Sequence, residues 1–389
     1  MQQTARCAPT TDSTRQAVFR CLYHAEESVT KQEISQRTNL SLPTVYQAFN
    51  ALDADGLILP GEERGSTGGR RARTYAIASR SAAAIGASVT GDRLRLVACD
   101  LFGHTVALHG ARDREVPTDG AHSFAELCEL VAGAARSFAD DLEATGVRAL
   151  GTGIAVPSAI DPTTGALANM TVIGLAGDTG TAAQLESGVE AKTGHRALVM
   201  NDAACGGFSE QFGVRDTESL VYLSLERGVG GSVIVAGKSL DGVHGASAEF
   251  GHLCLEPGGR RCACGNCGCL EAYCSSARLS DDLNCSLGQF FGLLEAGDAE
   301  ALQAWDDFAD HLARGIQLVH MSFDLEIVLG GLLSQYLPAH LEDLMARIEK
   351  LGDYGDPHGY LRLTRHPHHA VPLGAAQRVV ADFVETASF

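Results

Sequence analysis

The chain has 389 residues, of which 45% are hydrophobic and 20% charged, and its formal net charge is −18. This length predicts two or three domains with a full-sized core, and the composition is that of a soluble globular protein. No apolar run approaches the roughly 18 residues of a membrane span, and the N-terminus lacks a basic-then-apolar signal segment. We therefore expect a cytoplasmic protein without a membrane partner, whose 12 cysteines are reduced.

The charge is unevenly divided along the chain. Residues 1–80 carry ten Lys and Arg against eight Asp and Glu, whereas the remaining 309 residues carry 20 against 40. The overall charge argues against nucleic-acid binding by the whole chain. A mildly basic N-terminal region on an acidic body leaves such binding open for the first 80 residues.

The N-terminal region is expected to begin with a helix. Five residues recur at helical spacing: Ala17, Val18, Cys21, Leu22 and His24. Lys31 to Thr38 predict a second, short helix in which Ile34 faces inward. Residues 39–41 form a turn, in which Ser41 is the expected N-cap of a third helix that carries Pro43 in its first turn.

The third helix has two different faces. Apolar residues at i, i+3, i+4 and i+7 predict a core stripe: Val45, Ala48, Phe49 and Leu52. The opposite face is polar: Thr44, Tyr46, Gln47 and Asn50. Two helices joined by a three-residue turn predict a helix-turn-helix, and side chains of this kind read base edges in the major groove of DNA.

A basic, glycine-rich loop follows between residues 65 and 75. Arg70, Arg71 and Arg73 at such a hairpin tip suit contacts with the minor groove or with phosphates. Each feature has a plainer interpretation, because helix pairs occur in ordinary helical domains and a basic loop is often just solvated. Together, in the order that a winged helix requires, they favour DNA binding.

Residues 76–84 are small and nearly uncharged, and we expect them to form a connector. From Ile85 onward strand-like and helical stretches alternate, which predicts an α/β body. The predicted strands are Leu94–Asp100, Gly151–Val156, Ala197–Met200, Leu220–Leu225, Ser232–Ala236 and Glu326–Leu329. The predicted helices include Ser123–Ala144 and Leu302–Met321.

Four cysteines within eight residues, at positions 262, 264, 267 and 269, follow His252 and lie between Glu249 and Glu271. Four thiolate and imidazole ligands are what a tetrahedral structural zinc requires. The segment therefore predicts a closed metal site that could hold nearby carboxylates in place.

Several motifs in order resemble the ROK family, which contains bacterial sugar kinases and sugar-responsive repressors. They are the loop Ser66–Arg71, Pro157, Asn201-Asp202, Glu249–His252 and the run Cys262–Glu271. The resemblance covers essentially the whole chain. It implies an N-terminal winged helix-turn-helix over residues 1–80, as in the regulators of the family. It also implies a two-lobed actin-like, sugar-kinase-like (ribonuclease H-like) α/β fold with a zinc-binding insert over residues 81–389, the smaller lobe being about 81–200 plus the C-terminal helix and the larger about 201–370.

The resemblance also assigns residues to sites. It implies one structural Zn²⁺ per chain, held by His252, Cys262, Cys264 and Cys269, with Cys267 either a spare thiol or an alternative ligand. The residues it implies for sugar binding are Asn169, Asn201, Asp202, Glu249, His252 and Glu271. In the family's kinases the residue at Asp202 is the general base, and Ser158 here replaces a glycine that usually follows the proline.

Two phosphate loops of the kinases are altered in this chain. The first, Asp-x-Gly-Gly-Thr in the family, corresponds here to Ser88-Val-Thr-Gly-Asp92, and the second to Glu226-Arg-Gly-Val-Gly-Gly231. Asp92 and Glu226 would place negative charge where the phosphates of ATP should lie, and Arg227 could pair with either acid and close the pocket. The sugar half of the site is thus better preserved than the phosphate half.

This asymmetry predicts a regulator rather than an enzyme. The expected protein binds double-stranded operator DNA as a homodimer or homotetramer, and a sugar or sugar phosphate releases it, so that it acts as a repressor. The alternative is an ATP-dependent, glucokinase-like sugar kinase that carries a DNA-binding head.

Overall fold

The computed structural model describes residues 11–64, 71–111, 113–118, 121–168, 170, 173–175, 177–178, 180–213, 219–352 and 354–386. Over this part of the chain the fold is mixed α/β, as predicted, with helices packed on three β-sheets. No helix among these residues is both long enough and apolar enough to cross a membrane.

The N-terminal part, which we call the head, comprises the described residues between 11 and 77. Its elements are α1 (Thr11–Tyr23), β1 (Val29–Thr30), α2 (Lys31–Thr38), α3 (Leu42–Ala54), β2 (Ile58–Arg64) and β3 (Ala72–Ile77). A capping box between Thr30 and Glu33 begins α2, and Asn39 ends it with a left-handed backbone (φ 56°). The Ser41 hydroxyl caps α3 by accepting the Thr44 amide at 3.4 Å. The predicted bounds of α2 and the predicted cap of α3 are therefore confirmed.

The core of the head lies between its helices and the β1-β3-β2 sheet. The predicted stripe of α3 is buried, and Ile34 of α2 is fully buried beside it. The prediction for α1 was wrong in part: Val18, Phe19 and Leu22 are buried, whereas His24 is exposed and lies beyond the helix end. The large Phe19 ring defines the buried face, since it removes the most apolar area from water.

The first large sheet follows the head. Its elements and helices are β4 (Ala82–Val89), β5 (Arg93–Asp100), β6 (Thr105–Val106), β7 (Asp113–Pro117), α4 (Phe124–Ala144), β8 (Arg148–Val156), α5 (Ala182–Thr193), β9 (Arg196–Asn201) and α6 (Asp202–Gln211). The strand order is β6-β5-β4-β8-β9, with β7 paired to β5. Strands β4, β8 and β9 run parallel, and α4 and α5 cover one face of the sheet.

The predicted connector at residues 76–84 is wrong, because residues 82–84 already belong to the central strand β4. All eight residues of β4 are buried. A Cβ atom at Gly86 would lie 1.8 Å from the Pro372 carbonyl oxygen, and one at Gly153 would lie 2.1 Å from that of Ala375. Small residues are required here by the close approach of a distant helix, so they do not indicate a loop.

The second large sheet is built from the remaining strands. Its elements and helices are β10 (Leu220–Leu225), β11 (Val229–Val235), β12 (Lys238–Ser239), α7 (Glu271–Cys274), α8 (Ser276–Ser280), α9 (Leu287–Glu295), α10 (Ala299–Phe323), β13 (Glu326–Gly330), α11 (Leu341–Leu351), α12 (Pro357–Tyr360) and β14 (Leu361–Leu363). The order is β12-β11-β10-β13-β14, with β10, β13 and β14 parallel. The long helix α10 buries Trp305, Phe308 and Leu312 against this sheet.

The last helix, α13 (Ala370–Thr386), connects the head to the first sheet. It packs on β4, β8 and α6, and a Cβ atom at Gly374 would lie 1.8 Å from the Cys205 carbonyl oxygen of α6. Near its C-terminal end the Phe383 ring meets Phe19 edge-to-face, with centroids 5.5 Å apart. The head and the first sheet therefore share one continuous hydrophobic core.

Candidate functional site

The carboxyl end of the parallel strand β9 holds two of the predicted sugar-binding residues. Asn201 ends β9, and Asp202 begins α6 directly after it. The Asn201 side chain accepts the Ala204 amide at 3.0 Å and donates to the Ser158 carbonyl oxygen at 3.2 Å. Because both ends of this amide are engaged, Asn201 fixes the loop after β8 to the start of α6. The carboxyl edge of parallel strands is where ligands bind in open α/β sheets.

Asp202 is partly buried at this helix start. Its Oδ1 accepts the Ala203 amide at 2.8 Å. Burial raises the pKa of Asp202 to about 6, against the lowering effect of the Ala203 amide and with a further increase from the charge of Glu249. Asp202 is thus a carboxylate that can exchange a proton near neutral pH.

Glu226 directly follows β10 in the other large sheet. Burial raises the pKa of Glu226 to about 7, and the Asp202 charge adds to this effect, while Arg95 and the Leu332 amide oppose it. Sequence reasoning placed Glu226 in an altered phosphate loop but missed the effect of the Asp202 charge on it. The available signal was an acidic residue directly after a fully buried strand.

Glu249, His252 and Glu271 lie together beside the cysteine-rich segment. The Glu249 Oε2 is 4.0 Å from the His252 Nε2, and the His252 Nδ1 is 3.7 Å from the Cys262 Sγ. The Glu271 Oε2 accepts the Val229 amide at 3.0 Å, and its Oε1 lies 3.6 Å from the Cys262 Sγ. One edge of the imidazole therefore faces the thiols while the other faces a carboxylate.

The structure brings the four predicted metal ligands together. One ligand atom each from His252, Cys262, Cys264 and Cys269 lies within 4.8 Å of all the others, and the Cys264 and Cys269 sulfurs are 3.7 Å apart. A tetrahedral ion with Zn–S bonds of about 2.3 Å would hold two sulfurs about 3.8 Å apart. The donor set and its spacing therefore fit a tetrahedral metal ion with no open position.

Cys267 is not part of this ligand group. It is exposed, its backbone pairs with Arg261, and its carbonyl oxygen lies 3.6 Å from the Cys254 Sγ. Of the two alternatives for this residue, the structure favours the spare thiol.

Both altered phosphate loops are closed by their own hydrogen bonds. In the first, the Thr90 amide donates to the Arg93 carbonyl oxygen at 2.9 Å, and the Thr90 hydroxyl donates to Asp92. In the second, the Glu226 amide donates to the Gly228 carbonyl oxygen at 2.9 Å, and Val229 donates to Glu271. These amides are engaged within the protein and are not directed at a ligand.

Arg227 does not close the pocket, contrary to one possibility raised by the sequence. Its guanidinium binds Asp281 at 2.9 Å, whereas Asp92 pairs with Arg93. Asp281 follows α8, and nothing in the local sequence around Arg227 indicates this partner.

The candidate DNA-contacting residues of α3 lie on its outer face. Tyr46 is 51% exposed, Gln47 and Asn50 are exposed, and Thr44 is half-buried with its hydroxyl 2.7 Å from that of Ser41. Lys31 places its ammonium 4.3 Å from the centre of the Tyr46 ring, which sequence reasoning missed. The polar face of α3 is thus available to solvent.

The basic loop is described only in part. Arg71 and Arg73 are exposed at the start of β3, and the predicted contact Arg70 lies outside the described residues. The predicted sugar contact Asn169 also lies outside them. The structure therefore places five of the six predicted sugar residues and six of the seven predicted DNA contacts.

Comparison with known proteins gives a family match and several relatives. The profile of the ROK family matches residues 114–380. The xylose repressor of Bacillus subtilis (strain 168) is 24% identical over 308 residues, which are 77% of each chain. An N-acetylmannosamine kinase of Salmonella arizonae is 31% identical over 195 residues, which are 48% of this chain and 66% of the kinase.

Solved structures share the fold. A ROK family transcriptional regulator described as a homologue of the E. coli MLC protein superposes with a TM-score of 0.74 at 19% identity, over 96% of this chain and 98% of that one. A ROK hexokinase from Thermus thermophilus gives a TM-score of 0.59 at 26% identity, over 77% of this chain and 98% of the hexokinase.

Proposed function

Since the chain belongs to the ROK family, we propose that it is a sugar-responsive transcriptional regulator that binds DNA through residues 1–80 and its effector through residues 81–389. The observation that carries the proposal is the head itself, in which α3 exposes a polar face while the opposite side shares a core with the body. The solved structures support the proposal through their coverage. The regulator structure matches 96% of this chain, whereas the hexokinase matches 77% of it. The xylose repressor supports a sugar-responsive repressor in particular.

DNA recognition in this proposal follows the geometry of a winged helix-turn-helix. The polar face of α3 enters the major groove, where amide side chains such as Gln47 and Asn50 read adenine edges. Arg70, Arg71 and Arg73 contact phosphates or the minor groove beside it. A single head supplies few base contacts, so the protein binds as a homodimer or homotetramer, and its acidic body keeps contact confined to the heads.

The sugar lies, in this proposal, where the two large sheets face each other. Asp202, Glu249 and Glu271 accept hydrogen bonds from its hydroxyls, and Asn201 holds Asp202 in position. Asn169 contributes a further contact. The His252 Nε2, on the side away from the thiols, donates to or accepts from the same ligand.

The metal in this proposal is one structural Zn²⁺ per chain, held by His252, Cys262, Cys264 and Cys269. It would supply rigidity rather than chemistry, because all four positions are taken by the protein. By fixing His252 and the segment that runs into Glu271, these ligands preorganise the sugar acceptors.

Operator binding tests the function. In a gel-shift assay against the DNA upstream of its own gene, the protein should give a discrete complex that a sugar dissociates. Gln47→Ala and Asn50→Ala should each weaken this complex about tenfold or more, because each removes a contact to a base. Gln303→Ala, an exposed glutamine of α10, should leave it unchanged. Complexes that depend on salt but not on sequence would overturn the proposal.

A second candidate function is that of an ATP-dependent sugar kinase. Asp202 favours it, because a pKa of about 6 suits a general base near neutral pH, and kinases are among the relatives. ATP turnover in the presence of an aldohexose or aldopentose, abolished by Asp202→Asn, would establish it. We expect no turnover, because the amides of Thr90, Glu226 and Val229 in the two phosphate loops are engaged within the protein.

A further inference from the structure

Four carboxylates from both large sheets form one group, which we call the acid group: Asp202, Glu226, Glu249 and Glu271. The Glu226 amide donates to the Gly228 carbonyl oxygen, and a Cβ atom at Gly228 would lie 2.7 Å from the Glu271 Oε2, so these two acids lie on adjoining loops. The charge of Asp202 raises the pKa of Glu226, and the charge of Glu249 raises the pKa of Asp202. Asp202 follows β9 of the first sheet, whereas Glu226 follows β10 of the second. The acid group is therefore a region of negative charge that extends across the space between the sheets.

The nearby arginines are engaged with other partners. Arg95 acts on Glu226 from a distance, but its guanidinium donates to Glu115 at 3.0 Å and to the His368 carbonyl oxygen at 2.8 Å. Arg227 is bound to Asp281. A zinc ion with three thiolate ligands keeps a net negative charge, so a loaded metal site would not neutralise the acid group either.

Phosphate recognition relies on cations and free backbone amides, and three amides of the two altered loops are already engaged. The amides at Thr90, Glu226 and Val229 donate within the protein. Glu226 occupies the start of the loop that cradles phosphate in the kinases of the family. Above pH 7, where Glu226 and Asp202 are ionised, a phosphate brought there would face two carboxylates, and like charges placed together oppose binding strongly.

Sugar hydroxyls have the opposite preference. A hydroxyl donates to a carboxylate and gains a charge-assisted hydrogen bond. Glu226 already accepts from the Leu332 amide and keeps acceptor capacity for a ligand. The acid group therefore suits a ligand that is rich in hydroxyls and carries no charge.

We propose that the effector is an uncharged, unphosphorylated sugar and that Glu226 is the residue that excludes its phosphorylated forms. This inference rests on the proposed function and narrows it, because that function leaves both sugars and sugar phosphates open. Glu226 has no sugar role among the residues implied by the family resemblance, so the inference adds a specificity-determining residue to the site.

Titration of the zinc-loaded full chain by calorimetry tests the inference. Neutral aldopentoses, aldohexoses and N-acetylhexosamines are compared with their 1-phosphates and 6-phosphates. We expect one neutral sugar to bind, and its phosphates to bind about a hundredfold more weakly or not at all. The discrimination ratio is the Kd of the sugar phosphate divided by the Kd of the free sugar. Glu226→Gln should reduce this ratio about tenfold. Glu342→Gln, which removes the same charge from a side chain that is 82% exposed, should not change it.

Two results would overturn the inference. A sugar phosphate that binds the wild-type chain as tightly as the free sugar and releases operator DNA would refute it while leaving the proposed function intact. If the discrimination ratio is the same in wild type, Glu226→Gln and Glu342→Gln, Glu226 is not the residue that excludes phosphorylated sugars. If no compound of the panel binds or releases DNA, the proposed function fails together with the inference. The wild-type ratio decides the main point even if Glu226→Gln does not fold.

Discussion

Phe383 allows a direct test of how the head is joined to the body. Its side chain is 6% exposed, and its ring contacts Phe19 of α1 edge-to-face. Truncation of a buried phenylalanine to alanine costs about 3–5 kcal/mol, of which the edge-to-face contact accounts for about 0.5–1.5 kcal/mol. Because Phe383 and Phe19 belong to one core with β5, we expect Phe383→Ala to destabilise the head and the first sheet together.

The size of the thermal shift depends on how much of the chain unfolds at once. For 389 residues that unfold as one unit, the entropy of unfolding is about 0.8 kcal/mol/K, so Phe383→Ala should lower the Tm by about 4–6 °C. If the head, which spans about 67 residues, unfolded by itself, the same loss would lower the Tm of the head by about 20–35 °C. The shared core predicts the smaller shift.

Differential scanning calorimetry measures both quantities. We expect one endotherm in wild type and in Phe383→Ala, displaced by the smaller amount. Tyr354→Ala, which truncates a ring that is 53% exposed, should shift the Tm by less than about 1 °C. Two endotherms, of which the variant moves just the lower one and by tens of degrees, would refute the idea of a common core.

Three further predictions concern the metal, the acid group and the small residues of the sheets. Cys264→Ser should lose one zinc per chain by elemental analysis and should have a lower Tm. Cys254→Ser, which lies outside the ligand group, should keep the wild-type zinc content and the wild-type Tm. Equal zinc contents in the two variants would contradict the ligand assignment. Burial raises the pKa of Glu226 to about 7 in the folded chain, above its ordinary value of 4.5, so it contributes stability at low pH that is lost as pH rises through about 7. Urea unfolding at pH 5 to 8 should therefore show a decline that Glu226→Gln reduces, and an undiminished decline would exclude Glu226 as its source. Gly86→Ala should destabilise the protein strongly, because the added Cβ atom would clash with backbone atoms of α13. Gly292→Ala, which faces open space on α9, should stabilise the protein by about 0.5–1 kcal/mol. Similar Tm values for the two variants would contradict this prediction.

Local signals were sufficient for much of the secondary structure. The bounds of α2 were predicted correctly because the chain marks them with a capping box at Thr30 and a left-handed residue at Asn39. Every strand predicted in the body lies within or close to an observed strand, and Leu220–Leu225 matches β10. Strand β4 was missed because a strand buried on both faces shows no alternation of polar and apolar residues. Its small residues are explained by the close packing of α13, which lies at the other end of the sequence.

In the candidate site, too, contacts between residues close in sequence were predicted, and contacts between residues far apart in sequence were missed. The ligand group around Cys262 was predicted because its members are close in sequence, and the structure brings them together. The effect of the Asp202 charge on the pKa of Glu226 depends on how the two sheets are placed, and no local sequence pattern indicates it. The partner of Arg227 was missed for the same reason. The roles of these residues in sugar and DNA binding remain predictions.

The close approach of Gly374 on α13 to Cys205 on α6 determines which parts of the chain move together. The two backbones leave no room for a side chain, so α6 and α13 cannot slide past each other without breaking their packing. Asp202 at the start of α6 and the head at the far end of α13 therefore keep fixed positions relative to each other. Any movement of the second sheet would then be a movement relative to the head and the first sheet together.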